Sequence, residues 1–304
     1  MLKSTTMLNV VHLENFRCFR DARVRLGALT ALVGPNASGK TALLHAITGR
    51  VGSDPRDVWQ HQSQGWRIEC GCTPAGKMAL FAGGSDWNDW HHAGQYVHLD
   101  VRKIREHLQA AEEPQLSEDG SNLTNVFATL PRRVQEQLSR QLADFVPVLG
   151  DVDVRPSGGG NQRIVFQDRW KPELWYEPHE VSDGTLLTLG LLLIQHQQGR
   201  VEVLGIEEPE HGLHPYLLRE VVSVLRKLTQ GGLQIVLATQ SAELLDYLEP
   251  EEVRFLKRRS EDGAVVIEEA PTGTEEWRRA YEVYQESLGS LWLSGNVGGV
   301  PGSP

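Results

Sequence analysis

The chain has 304 residues, of which 40% are hydrophobic and 23% charged, a composition typical of a globular protein with a sizeable core. Its formal net charge of −10 argues against a protein that coats DNA non-specifically, although it leaves room for a local basic groove. The three cysteines, Cys18, Cys70 and Cys72, are too few for a disulfide framework. Reduced thiols, and the lack of a signal-like or bilayer-length apolar run, predict a cytoplasmic protein that does not enter a membrane.

The first predicted elements are strands. Val10 to Leu26 alternates apolar and basic residues, which predicts two short strands joined around Arg17–Asp21. The apolar run Leu29–Val33 predicts a buried strand. Residues 41–48 predict a helix, which Gly49 ends.

A phosphate-binding loop joins that buried strand to that helix. The pattern G-x-x-x-x-G-K-[ST] is fitted by Gly34, Pro35, Asn36, Ala37, Ser38, Gly39, Lys40 and Thr41. Glycines let successive N–H groups point into one concavity, and the positive end of the helix dipole adds to the attraction for phosphate. We predict that Lys40 reaches the β- and γ-phosphates of a nucleotide and that the Thr41 hydroxyl binds Mg²⁺. The alternative is a chance glycine turn, which the agreement of strand, loop and helix disfavours.

The residue composition changes twice in the middle of the chain. Residues 51–100 contain brief strand-like pieces and predict an antiparallel β portion, whereas residues 104–150 are rich in helix-forming residues. Two basic triplets, Arg102-Lys103-Arg105 and Lys257-Arg258-Arg259, could contact DNA or a partner. Isolated triplets of this kind are more commonly solvated surface.

A capped apolar helix follows from Ser182. Ser182 is a good N-cap residue, and the helix is predicted from Gly184 to Gln198. The plain interpretation is a core helix. The alternative is that the Ser182–Gly184 backbone and the helix N-terminus bind a phosphate group.

Two further strands end in polar residues. The strand from Val201 leads into Glu207 and Glu208. We predict that Glu207 holds Mg²⁺, directly or through water. We predict that Glu208 orients or deprotonates the attacking water. An acidic surface turn is the alternative. The strand Ile235–Thr239 ends at Gln240, which could hydrogen-bond the γ-phosphate or the lytic water, or could simply belong to a strand-to-helix turn.

The order of these motifs resembles that of ABC-type ATPase heads of the SMC/RecF class, and among them the compact, AAA-labelled, OLD-like ATPases of bacteria. The resemblance extends over nearly the whole chain. It is carried by Leu13–Phe19, Gly34–Thr41, Ser117–Leu123, Ser182–Thr185, Ile206–Glu210, Leu213–Pro215 and Leu291–Gly295. It implies an α/β fold, a P-loop NTPase of ABC-ATPase type, with a mixed sheet core, an antiparallel β portion and a small helical insert.

The resemblance also implies a domain organisation. A single ATPase domain is expected over residues 1–270, with an N-terminal lobe (1–103), a helical insert and strands (104–180), and a lobe with the signature, Walker B and switch motifs (181–270). Residues 271–304 are expected to form one helix, Glu275–Ser287, and a flexible tail.

Such heads hold two nucleotides between two subunits, so the resemblance implies a homodimer that forms on ATP binding. Ser182 and Gly184 would then contact the γ-phosphate of the ATP held by the partner subunit. Two residues depart from the usual pattern. Glu207 stands where Asp is usual, and Gln240 stands where His is usual, so hydrolysis is expected to be slow. Gln95 is a candidate for the lobe-bridging glutamine.

The predicted function is therefore an ATP-hydrolysing switch subunit that uses ATP and Mg²⁺. The sequence shows neither a long coiled coil nor a nuclease domain, so we expect a separate nuclease-like partner, possible contact with nucleic acid, and a role in DNA repair or anti-phage defence. A non-hydrolysing nucleotide sensor or scaffold is the alternative, because Gln240 cannot carry a proton charge. A transport-type ABC ATPase fits the acidic motif and Gln240 less well.

Overall fold

The structure is a computed structural model that describes residues 7–51, 57–59, 65–73, 78–82, 94–199, 201–211, 213–295 and 297. The chain forms two compact units. The first consists of Met1–Tyr96, Glu202–Glu210 and Thr229–Pro304, and the second of Val97–Val201 and His211–Leu228.

The secondary structure of the described residues alternates between strands and helices. The strands are β1 Met7–Phe16, β2 Phe19–Arg25, β3 Leu29–Val33, β4 Arg67–Thr73, β5 Met78–Ala82, β6 Gly94–Val97, β7 Leu108–Gln109, β8 Leu149–Gly158, β9 Asn161–Asp168, β10 Trp175–Tyr176, β11 Val203–Glu207, β12 Gln234–Thr239, β13 Val253–Arg258 and β14 Val265–Glu269. The helices are α1 Lys40–Ile47, α2 Val101–Ile104, α3 Leu123–Thr129, α4 Arg132–Phe145, α5 Asp183–Ile194, α6 Leu218–Gln230, α7 Ala242–Leu245, α8 Glu275–Val283 and α9 Leu288–Leu293.

The first unit is built on a six-stranded mixed sheet with the order β14-β13-β3-β12-β11-β6. Strands β13, β3, β12 and β11 run parallel, and β14 pairs antiparallel with β13. Every residue of β3 and of β12 is buried. Continuous apolar strands of this kind are typical of a parallel sheet with both faces covered, which explains why β3 and β12 show no polar alternation.

A second, antiparallel sheet of the first unit has the order β2-β1-β4-β5. β1 and β2 form a hairpin whose turn begins at Arg17, as the alternating sequence predicted. Apolar side chains of this sheet and of α1 share one core that includes Leu13, Phe16, Leu43 and Ile47. The phosphate-loop helix is thus fixed between the two sheets. This combination confirms the predicted mixed sheet with an antiparallel β portion.

The second unit contains a smaller sheet and the helical insert. β9 pairs antiparallel with β8, β10 and β7. Helix α4 packs against β8 and α5 and buries Leu138, Ser139 and Leu142 on one face. Helix α5 is buried from Gly184 to Ile194, which explains its apolar character all round, and it ends at Ile194 rather than at the predicted Gln198.

The end of the chain forms two helices where the sequence predicted one. Gln285 and Glu286 have positive φ angles of 55° and 59°, which interrupt the helix between α8 and α9, so the prediction of a single helix Glu275–Ser287 is wrong. Helix α9 is tied to α7, because Asp246 Oδ1 accepts hydrogen bonds from Ser287 Oγ and Gly289 N, both at 2.9 Å. The predicted tail beyond α9 lies almost wholly outside the described residues.

Gly289 lies where α9 packs tightly against the start of α7. A Cβ atom at this position would lie 2.1 Å from the carbonyl oxygen of Ala242. Gly289→Ala should therefore destabilise the protein by roughly 1–3 kcal/mol, although alanine is the better helix former. Chemical denaturation measures the change. Gly273→Ala is the matched control, because a Cβ at Gly273 would meet nothing within 4 Å. Equal stability of the two variants would contradict the close packing of α9 on α7.

Candidate nucleotide and metal site

Three parallel strands of the first unit end at the same edge of the sheet. Val33 of β3 is paired with Thr239 of β12, and Ala238 is paired with Glu207 of β11. The segments that follow these strands therefore begin side by side. Together with neighbouring residues they line a pocket of about 360 Å³, within the size range of ligand sites. Its walls include Ser38, Lys40, Thr41, Glu207, Glu208, Gln240, Arg17, Cys18 and Arg258.

The phosphate loop adopts a conformation that its glycines permit. Gly39 has a φ of 94°, and a Cβ on Gly34 would lie 2.3 Å from the carbonyl oxygen of Leu256. Ser38 is 1% exposed, and its Oγ has no hydrogen-bond partner within the described part of the chain. A buried hydroxyl without a partner in the loop can donate a hydrogen bond to a phosphate oxygen, as the loop N–H groups do. Ser38 therefore fits a phosphate-binding site.

Lys40, predicted to reach the phosphates, is buried at the start of α1. Its Nζ donates hydrogen bonds to the carbonyl oxygens of Gly34 and Pro35, at 2.8 and 2.9 Å. Burial lowers the pKa of Lys40, while the charges of Glu208, Glu207 and Glu210 oppose that decrease. Neutral carbonyls hold the ammonium group in the loop without cancelling its charge, so it stays available to an anion.

Glu207 and Thr41, both predicted to bind a metal, are in direct contact. Thr41 Oγ1 donates a hydrogen bond to Glu207 Oε1, and Tyr96 Oη donates one to Glu207 Oε2. Within the described ranges no three His, Cys, Asp or Glu residues form a metal-binding group. A hydroxyl and one carboxylate suit Mg²⁺, which keeps several waters and takes its other ligands from phosphates. The donor set therefore fits a nucleotide-bound magnesium ion.

Tyr96 is a site residue that sequence reasoning missed. It is 6% exposed, its ring contacts His45 edge to face, and the Arg50 guanidinium lies 5.0 Å from its centroid. The hydrogen bond to Glu207 orients that carboxylate. Gln95, the neighbouring residue, lies on the edge strand β6.

Glu208 and Gln240 are joined by a hydrogen bond. Gln240 Nε2 donates to Glu208 Oε1 at 2.6 Å, and the Glu208 backbone has a φ of 45°, which is unusual for a residue with a side chain. Glu208 N is bonded to the carbonyl oxygen of Ala238 on β12, which holds this conformation. The geometry points a carboxylate into the pocket and fixes one of its oxygens.

Glu210 is a third carboxylate at this edge, and the sequence analysis gave it no role. Its Oε1 accepts hydrogen bonds from Thr239 Oγ1 at 2.5 Å and from Gln240 N at 3.2 Å. Burial raises the pKa of Glu210, and the charge of Glu208 adds to the increase, whereas the hydrogen bonds oppose it. Glu210 thus links the turn after β11 to the residue that follows β12.

The pocket carries opposite charges on its walls. Lys40, Arg17 and Arg258 supply positive charge, and Glu207 and Glu208 supply negative charge. Arg17 is already bonded to Asp57 and to His45, at 2.8 and 2.9 Å. Phosphates alone would be repelled by the carboxylates, so this arrangement fits an anion and a divalent cation bound together.

Ser182 and Gly184 belong to the second unit. The Ser182 hydroxyl caps α5 by accepting from Thr185 N at 3.2 Å, and Ser182 is exposed whereas Gly184 is buried. A Cβ on Gly184 would lie 2.8 Å from Leu217 Cδ1, so a larger residue here would need the end of that leucine side chain to move. Asp183 between them is paired with Arg105 at 2.6 Å. Lys103 is likewise paired with Asp119. Two of the three basic residues in the triplet Arg102-Lys103-Arg105 therefore form ion pairs.

Comparison with known sequences assigns the family. Residues 63–246, more than half of the chain, match the family described as "AAA domain, putative AbiEii toxin, Type IV TA system". The chain belongs to this AAA family. Residues 7–49 of this AAA protein also match the AAA ATPase domain. Over 53 residues the AAA protein is 49% identical to an OLD nuclease of Thermus scotoductus, a match that covers 17% of this chain and 9% of that nuclease.

Solved structures show the same fold for this AAA protein. The SMC head domain from Thermotoga maritima is 16% identical, with a TM-score of 0.58 over 86% of this chain and 98% of that one. A Pyrococcus furiosus Smc head domain with an extended coiled coil, bound to the C-terminal domain of ScpA, is 10% identical, with a TM-score of 0.56 over 92% and 99%. These likenesses confirm the predicted ABC-type P-loop fold and the resemblance to SMC heads. Among the described residues, no helix is long and apolar enough to cross a membrane.

The raised pKa of Glu210 predicts a pH-dependent stability difference. The ordinary pKa of this carboxyl group is 4.5, and the folded value is higher. The folded state therefore binds this proton more tightly than the unfolded state, and proton binding stabilises the folded protein. This stabilisation is fully present below pH 4.5 and is lost as the pH rises through the folded pKa. Glu210→Gln keeps an acceptor for Thr239 and has no such proton to lose. Its melting temperature relative to the unmodified protein should rise from about pH 5 to about pH 8.

Thermal unfolding at several pH values measures this difference. Glu276→Gln, at an exposed carboxylate on α8, is the control. A melting-temperature difference for Glu210→Gln that stays constant over this range would contradict the assignment of a buried, proton-binding carboxyl to Glu210.

Proposed function

We propose that this AAA protein binds Mg²⁺-ATP in the pocket at the edge of the first unit's sheet and hydrolyses it to ADP and phosphate. The observation that carries the proposal is the meeting of Lys40 and the phosphate loop with Glu207 and Glu208 in one pocket. Lys40, the Ser38 hydroxyl and the loop N–H groups would bind the phosphates. Thr41 and Glu207 would hold Mg²⁺, which when bound neutralises phosphate charge.

Glu208 is the proposed general base. A water oxygen attacks the γ-phosphorus, the bond to the β–γ bridging oxygen breaks, and the proton of the water passes to Glu208. Gln240 donates a hydrogen bond to Glu208 Oε1 and so orients the carboxylate that would take the proton. Thr41 donates to one oxygen of the Glu207 carboxylate and Tyr96 donates to the other, so the two residues orient it together.

We also propose that ATP joins two copies of the chain. Ser182 is the exposed N-cap residue of the twelve-residue helix α5, and Gly184 is the second residue of that helix. A helix N-terminus attracts a phosphate, so this segment suits the γ-phosphate of a nucleotide held by the other copy. ATP would then favour the dimer by its additional contacts in that state.

The cellular role proposed for the switch is control of a separate partner in the cytoplasm, in anti-phage defence or DNA repair. Three likenesses support it. The family description names a toxin–antitoxin system, a matched segment belongs to an OLD nuclease, and an Smc head of the same fold is bound to a domain of ScpA. We propose a nuclease-like partner that acts on nucleic acid.

One observation favours a second candidate, a nucleotide sensor with negligible turnover. The residue at the switch position is Gln240, whose amide engages the proposed base at 2.6 Å. An amide donates a hydrogen bond but cannot accept and pass on a proton. Tight binding of ATP without phosphate release would favour this candidate over the hydrolase.

Phosphate release tests the hydrolase directly. Lys40→Ala should lower turnover by about 10²-fold or more through the loss of phosphate charge stabilisation. Glu208→Gln should lower it by about 10²–10⁴-fold through the loss of the base, while ATP binding remains. Lys171→Ala and Glu276→Gln, at exposed positions, are the matched controls. Unchanged turnover in both site variants would reject the assignment of these residues.

Light scattering tests the proposed dimer. Glu208→Gln with ATP and Mg²⁺ should double the molar mass of the protein, because the bound triphosphate persists. The double variant with Ser182→Arg should stay monomeric while binding ATP, since the added side chain occupies the proposed contact at the start of α5. A mass that does not depend on ATP, or a dimer that tolerates Ser182→Arg, would contradict the signature contact.

A further inference from the structure

The basic triplet Lys257-Arg258-Arg259 is divided in the structure. Lys257 Nζ is paired with Glu268 at 2.7 Å, and Arg259 Nη2 is paired with Asp262 at 2.5 Å. Arg258 has no carboxylate within 4.0 Å among the described residues, although it stands between these two ion pairs. The charges of Lys257 and Arg259 are therefore neutralised by the adjacent strand and turn, whereas no carboxylate in the described part of the chain neutralises that of Arg258.

Strand register explains where Arg258 points. β13 runs parallel to β3, with Phe255 paired to Val33, the last residue of β3. Leu256, Lys257 and Arg258 thus continue beyond the end of β3, alongside the phosphate loop. The tight fit of Gly34 against the Leu256 carbonyl oxygen shows the same proximity.

Arg258 is bonded to that loop. Its Nε donates to the carbonyl oxygen of Ala37 at 2.8 Å, and its Nη1 donates to the carbonyl oxygen of Gly263 at 2.8 Å. Ala37 has a φ of 60°, so the bond holds the loop where its backbone is least favourable. Two neutral acceptors fix the plane of the guanidinium without reducing its charge, and the side chain lines the phosphate pocket.

We infer that Arg258 is a nucleotide-binding residue that clamps the phosphate loop through Ala37 and contacts the phosphate chain with its remaining N–H groups. The inference rests on the proposed function and adds to it a cation from outside the phosphate-loop motif. A guanidinium has five donors in a planar fork, of which two are used here, and such forks suit phosphate oxygens. Arg17 lines the same pocket but is bonded to Asp57, so Arg258 supplies the less compensated charge.

Binding of MgATP, MgADP and inorganic tripolyphosphate to the full chain tests this inference. Arg258→Ala and Arg258→Gln should weaken all three by about tenfold or more, as expected for the loss of a charge-assisted hydrogen bond. Arg258→Lys should recover a substantial part of the loss, because it keeps the charge. Lys257→Ala and Arg259→Ala, whose charges are already paired, should stay within about twofold of the unmodified protein.

The outcomes separate the inference from the proposed function. An unmodified protein that binds none of the three ligands would overturn the proposed function. An unmodified protein that binds them while Arg258→Ala binds equally well would overturn only the role of Arg258. A loss in Arg258→Ala that Arg258→Lys does not relieve would assign Arg258 a purely structural role and overturn the phosphate contact. Melting temperatures of the variants show that each is folded.

Discussion

The parallel pairing of β3, β12 and β11 is the constraint on which the candidate site depends. These strands are paired so that Val33, Thr239 and Glu207 end at one edge of the sheet. A shift of one residue in either pairing would turn every side chain of a strand to the opposite face. The buried, apolar strands fix the register, and the register in turn places the phosphate loop, Gln240 and the carboxylates around one pocket.

Within that pocket, three charged side chains accept hydrogen bonds from neutral groups or donate hydrogen bonds to them. Lys40 is held by loop carbonyls, Glu208 by the amide of Gln240, and Glu207 by two hydroxyls. Neutral partners fix the position of a charged group and leave its charge in place. A nucleotide would therefore meet charged groups that are already positioned, whereas the hydrogen bond between Thr41 and Glu207 would have to open to admit a magnesium ion.

The sequence was informative where a function is contained in a short segment. The loop pattern and the acidic strand end predicted Lys40, Thr41, Glu207 and Glu208 as neighbours, and Thr41 and Glu207 do touch. Tyr96 was missed because it is 111 positions from Glu207 and only the edge strand β6 brings it there. Arg258 was hidden in a basic triplet, since only the pairing of β13 with β3 and β14 distinguishes it from Lys257 and Arg259. The break between α8 and α9 depends on backbone angles that helix-forming residues do not reveal.

Asp246 connects the end of α7 to the start of α9. Asp246 ends the four-residue helix α7, which starts directly after Ser241 and so lies only a few residues from Gln240. The same carboxylate holds the first turn of α9 through Ser287 and Gly289. Helix α7 thus lies between α9 and Gln240, the residue whose amide donates to Glu208. Displacement of α9 would break both hydrogen bonds that Asp246 accepts, at the end of the short helix that follows Ser241.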